Sequence, residues 1–79
     1  MEDRTPGAVF VFRMQITVNG KVMEVEEGIT IELLLHQLDV RKEFTAVAVN
    51  REVARRASFG STQLRAGDWV EIVRPMGGG

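Results

Sequence analysis

Three consecutive glycines, Gly77, Gly78 and Gly79, close the sequence. The chemistry they offer is that of a terminal carboxylate on a tail with no Cβ near it. Such a backbone takes conformations closed to other residues and threads a narrow channel. A partner enzyme can therefore reach the Gly79 carbonyl and activate it, with Gly77 and Gly78 serving access. The alternative is a low-complexity end without function. No other residues compete for this role. The chain has no cysteine, which excludes disulfides, zinc-thiolate sites and thiol catalysis. Its one histidine, His36, has no acidic or histidine partner at ligand spacing and reads as a surface residue, so neither a metal nor a catalytic side chain is assigned.

A reactive tail needs a body to hold it. Seventy-nine residues make one small domain with a thin core and limited stability. A hydrophobic content of 44% and a charged content of 27% argue for a folded chain over a disordered one. No apolar run reaches the length of a membrane span and no signal-peptide pattern opens the sequence, so a soluble cytoplasmic protein is the expectation.

The net charge of −1 is unevenly spread. Residues 1–40 carry three basic and seven acidic side chains, and residues 41–79 carry seven basic and four acidic. The basic half reads either as a solvated surface or as a face for an acidic partner. Nucleic acid is a poor fit, because the whole is not basic and no aromatic residues interleave with the arginines as stacking platforms.

The elements follow from hydrophobic period and turn chemistry. Phe10, Phe12, Met14, Ile16 and Val18 alternate as in a strand, so the first strand either begins early or begins at Met14 after a dispensable extension. Asn19-Gly20 between two alternating segments predicts a hairpin, since both residues tolerate the positive φ of a type I′ turn. In the second strand, Lys21 to Glu26, Met23 and Val25 face inward while Val22, Glu24 and Glu26 face out.

A helix is predicted from Ile31 to about Leu38, with Thr30 as N-cap, Glu32 in the first turn, and Ile29 and Leu34 at the staple positions. Its apolar face is Ile31, Leu34, Leu35 and Leu38. Residues 45–49 read as a third strand, inward either at Val47 and Val49 or at Ala46 and Ala48. Asn50-Arg51-Glu52 reads as a turn, and Val53 to Phe59 as a segment that holds a short edge strand, to which the charges of Arg55 and Arg56 are suited. After a turn at Ala66-Gly67-Asp68, the nearly continuous apolar run Trp69-Val-Glu-Ile-Val73 predicts a central, well-covered strand.

One helix across one face of a small mixed sheet of four to five strands is the economical way to bury these faces, an α+β fold. The last strand, in the middle, projects the tail from the end of the sheet, with Pro75 holding Arg74 extended.

These pieces resemble the ubiquitin-like β-grasp sulfur carriers, and most closely the ThiS type of thiamin biosynthesis. The resemblance lies in Met14-Gln-Ile-Thr-Val-Asn19-Gly20, Thr30-Ile-Glu-Leu-Leu34, Val47-Ala-Val-Asn50-Arg-Glu-Val53, Arg55-Arg56, Leu64-Arg-Ala-Gly67-Asp68, Val70-Glu-Ile-Val73 and the final three glycines. It divides the chain into an N-terminal extension (1–13), a β-grasp domain (14–75) and a glycine tail (76–79). The extension has no counterpart in the family, Ala54 stands where the family often has proline, and Pro75-Met76 replaces an aliphatic lead-in.

The resemblance implies a co-substrate and not an enzyme. A ThiF-like adenylating enzyme would use ATP to activate the Gly79 carboxylate. A persulfide sulfur donor, fed by a cysteine desulfurase, would convert it to a thiocarboxylate, and thiazole synthase would receive the sulfur. No cofactor is bound by the carrier itself. Hydrophobic surface near the last strand, with Met76 a candidate, is expected to dock a partner, and Arg74 or Arg55 to add charge complementarity. A sister carrier for molybdopterin or another sulfur-transfer pathway, and a ubiquitin-like modifier or interaction domain, remain as alternatives.

Overall fold

The computed structural model describes residues 12–74. The elements are β1 (Arg13–Val18), β2 (Lys21–Glu26), α1 (Ile31–Gln37), a 3₁₀ turn (Lys42–Phe44), β3 (Ala46–Val49), β4 (Glu52–Ala54), a second 3₁₀ turn (Arg56–Ser58) and β5 (Trp69–Val73). Gly77 to Gly79 and Met76 lie outside the described residues, as does any strand before Phe12. β1 begins at Arg13; Phe12 precedes it and is exposed, while its carbonyl accepts a bond from the Glu27 N–H.

The five strands form one mixed sheet in the order β2-β1-β5-β3-β4. β1 and β2 pair antiparallel from Arg13↔Glu26 to Val18↔Lys21. Their link is the two-residue turn Asn19-Gly20, with φ of 50° and 84°, the left-handed pair that matches a hairpin's twist. β5 lies parallel to β1 and antiparallel to β3. The central position expected for the last strand is therefore observed.

The helix packs on one face only. Thr30 caps it, its Oγ1 accepting the Leu33 N–H at 3.1 Å. Leu38 is the C-cap, and Asp39 follows with φ of 61°. The Asp39 N–H bonds the His36 carbonyl and the Val40 N–H bonds that of Leu35, which satisfies the last helical acceptors as in a Schellman motif. Ile31, Leu34 and Leu35 meet Ile16, Val25, Val47, Val70, Phe59 and Leu64 in a single core. Thr45 is the one buried polar side chain among the described residues, and its hydroxyl donates to the Arg41 carbonyl at 2.6 Å.

Two expectations need correction. The edge strand stops at Ala54: Arg56–Ser58 is a 3₁₀ turn and Phe59 beyond it is 1% exposed. β3 is only four residues long, so it offers few rungs, and Phe59 must cross to the helix side to be buried. The turn before β4 is Asn50-Arg51 alone; Glu52 already pairs with Val49. Second, β5 is central but less well covered than expected, with one face left open. Val70 is fully buried and Ile72 half-buried, but Trp69 and Val73 are 47% and 59% exposed.

Arg51 sits at φ of 71°, in a turn position where glycine is favoured and a Cβ is strained. Arg51→Gly is therefore expected to stabilise the domain by several tenths to about 1 kcal/mol. Thermal melting of the two proteins checks this; an unchanged or lower midpoint would show the turn to be unstrained.

Candidate functional site

The site is the strand that carries the tail and the surface around it. β5 runs between two neighbours of different length. On one side Ala46↔Val73 carries the β3 ladder to the last residue of the strand. On the other, register pairs with β1 end at Val18↔Val70, because β1 turns away at Asn19.

Asparagines from two turns hold the ends of β5. At its start, the Asn50 N–H donates to the Trp69 carbonyl at 2.7 Å and the Asn50 Oδ1 accepts the Trp69 N–H at 2.9 Å. Asn50 Nδ2 also donates to Asp68 Oδ1, whose partner oxygen accepts the Arg65 N–H. Toward its end, Asn19 Oδ1 accepts the Ile72 N–H at 2.8 Å, and Asn19 Nδ2 donates to the Ile72 carbonyl at 3.2 Å.

The helix-free face of the sheet is apolar near the exit. Residues paired across strands share a face, so the pairs Ala46↔Val73, Ala48↔Glu71 and Ala48↔Val53 place Ala46, Ala48, Val53, Glu71 and Val73 together. They line one shallow hollow, with Val53 79% exposed. Trp69 lies on the same face farther along β5. Apolar surface near the last strand was expected; that Ala46 and Ala48 of β3 and Val53 of β4 build most of it was not. The expected part had its signal in β5, which is apolar at both parities and so supplies a second apolar face.

Arg74 and Arg55 are both exposed. Arg55 follows Ala54, which pairs with Val47, which in turn pairs with Ile72. Both arginines thus stand at the end of the sheet from which the chain leaves β5. Arg74 shares a hollow with Asp39, Arg41 and Phe44. His36 is exposed on the last turn of α1. Among the described residues no three metal-ligating side chains cluster, and no helix is long and apolar enough to cross a membrane.

The model of the ThiS family matches residues 13–79, all of the described domain and the glycine tail. The chain belongs to the ThiS family. The sulfur carrier protein ThiS of Escherichia coli is 32% identical over 66 residues, covering 84% of this chain and all of that protein. A crystal structure of the thiamine biosynthesis protein ThiS from Geobacter metallireducens superposes with a TM-score of 0.74 at 40% identity, covering 84% of this chain and 100% of that one. It establishes the ubiquitin-like β-grasp fold. A thiazole synthase of Magnetococcus marinus is 38% identical over 66 residues. There the ThiS-like segment is only part of the whole: this chain spans about a fifth of that enzyme and of the similar one from Paramagnetospirillum magneticum. The ThiS match begins at Arg13, where β1 begins.

Proposed function

We propose that this chain is a sulfur carrier of thiamin biosynthesis, acted on by enzymes and not itself a catalyst. The observation that carries the reading is the family match running through Gly79, with full coverage of the Escherichia coli sulfur carrier. The reacting atoms are those of the Gly79 carboxylate. A carboxylate oxygen attacks the α-phosphorus of ATP in a ThiF-like partner, pyrophosphate leaves, and the acyl-adenylate acquires a good leaving group. A persulfide sulfur then attacks the carbonyl and AMP departs. Thiol cleavage of the resulting S–S bond leaves the thiocarboxylate and a disulfide.

The body of the domain supplies presentation. A side chain at Gly77 or Gly78 would obstruct an extended tail. Met76 and the apolar patch of Ala46, Ala48, Val53 and Val73 serve docking, with Arg55 and Arg74 adding charge complementarity. Exposed apolar surface of this kind marks contact sites. Thiazole synthase is the proposed recipient. A ThiS-like segment joined within one chain to relatives of that name supports it, because linkage raises the effective concentration of cooperating parts. The cytoplasm, where ATP and cysteine-derived sulfur meet, is the proposed compartment.

The test is thiol-specific alkylation and intact mass after incubation with a ThiF-like enzyme, ATP and a persulfide source. The chain has no cysteine, so any thiol label must sit on a thiocarboxylate. An ATP-dependent label mapping to Gly79 establishes the carrier; no label from a partner active on another carrier rejects it. The patch gives a further expectation. Val53→Asp and Val73→Asp together should weaken loading on the order of a hundredfold, as loss of a central contact does. Urea midpoints should stay close to the parent's, since both side chains are already exposed. Undiminished loading at low carrier concentration would remove the patch from the interface.

A further inference from the structure

The end of β5 poses a backbone problem that one side chain solves. In a parallel ladder, alternate residues of a strand direct their N–H and C=O groups to the same neighbour. Thr17 N–H donates to the Asp68 carbonyl and Asn19 N–H to the Val70 carbonyl, each at 2.9 Å. The next residue in this series is Ile72. By then β1 has ended and the chain has turned into β2, so no backbone remains to receive it. The Asn19 amide takes that place. Its Oδ1 stands for the missing carbonyl and its Nδ2 for the missing N–H, at 2.8 and 3.2 Å.

Asn19 thus extends β1 by one rung made from a side chain. With β3 bonded on the other flank as far as Val73, the chain leaves the sheet at Arg74 in a direction set from both sides. Ile72 stands seven residues before Gly79 in the sequence. Freedom at Ile72 is therefore freedom in where the terminal residues begin.

We propose that Asn19 is a positioning residue for the sulfur-carrying terminus, fixing the direction in which β5 launches the tail toward the adenylating partner. The inference rests on the sulfur-carrier reading above. A strand end already fixed at Ile72 leaves less freedom to be lost when the partner takes up the tail. The benefit falls on assembly of the complex, not on the chemical step, because the partner's channel holds the tail once it is bound.

The turn's own need does not account for the amide. Glycine accepts φ of 50° more easily than asparagine does, so Asn19→Gly keeps the hairpin and removes both bonds. Val25→Ala serves as the control: Val25 is 1% exposed on β2, away from the exit, and its truncation destabilises the core.

The experiment is ATP–pyrophosphate exchange by a ThiF-like enzyme at varied concentrations of the full-length carrier, with hydrogen exchange at the Ile72 amide measured in parallel. For Asn19→Gly the expected result is a KM raised about three- to tenfold with kcat within about twofold, and faster exchange at Ile72. Val25→Ala is expected to melt lower with KM unchanged. An unaltered KM or unaltered Ile72 protection in Asn19→Gly overturns the proposal. So does a rise in KM for Val25→Ala equal to that of Asn19→Gly, which would make the effect one of stability. A parent protein that supports no exchange, with a partner active on another carrier, overturns the sulfur-carrier reading and this inference together.

Discussion

A chain lacking Gly78 and Gly79 is expected to fold, melt close to the parent and accept no sulfur. The truncation leaves every element in place, since β5 ends at Val73 and the core of the described residues runs from Met14 to Val70. What changes is the identity and reach of the carboxylate. The end becomes Gly77, two residues short of where an adenylating site meets it. Displacing reacting atoms by even about 1 Å costs on the order of a hundredfold, and two residues of extended chain span roughly 7 Å. The loss is therefore complete within detection. Alkylation and intact mass measure loading, and circular dichroism with urea titration measures the fold. A truncated, folded chain that still gains an ATP-dependent thiol label would remove Gly79 from the mechanism.

The second large effect belongs to the fold. Phe59 is 1% exposed and is the largest of the fully buried side chains. It sits at the end of a 3₁₀ turn, and its carbonyl accepts the Glu32 N–H at 3.0 Å at the start of α1. Phe59→Ala is expected to cost about 3–5 kcal/mol through lost transfer energy and an unfilled cavity. A domain this small has a total stability on the order of 5 kcal/mol, so the variant should keep no more than about 2 kcal/mol and populate the unfolded state measurably. Phe59→Leu refills most of the volume and should lose less than about 2 kcal/mol. Urea melts of the three proteins decide it: a loss below about 1 kcal/mol for the alanine variant would show the site to be tolerant.

The parts of the fold that were legible are those whose information is local. Asn19-Gly20 announces its turn because positive φ at both positions is a property of the residues themselves. Thr30, Ile31, Leu34 and Leu35 announce a capped, one-sided helix in the same way. The end of β4 was not legible, since a three-residue strand followed by a 3₁₀ turn has no period to detect, and Phe59 is an isolated apolar residue in a polar stretch. The covering of β5 was misjudged for a related reason. An apolar run cannot say whether its second face is buried within the domain or kept for another molecule.

The site divides along the same line. The glycine tail is visible in composition, and Arg55 and Arg74 stand out by charge. That the two arginines share one end of the sheet depends on the register of three strands. The second role of Asn19 joins residues 53 apart in sequence, and the turn had already accounted for the asparagine. Nothing local asks for more.

The strand order has a consequence for cooperativity. β1 with β2 and β3 with β4 are hairpins closed by two-residue turns, and only β5 joins one to the other. Two-stranded hairpins are marginal by themselves in water, so the sheet has no half that persists when β5 leaves. The strand that points the terminus is the same strand that makes the domain a single unit. Partial opening that frees the tail's anchor therefore amounts to unfolding. A partner that reads the end of β5 has, by that contact alone, selected an intact protein.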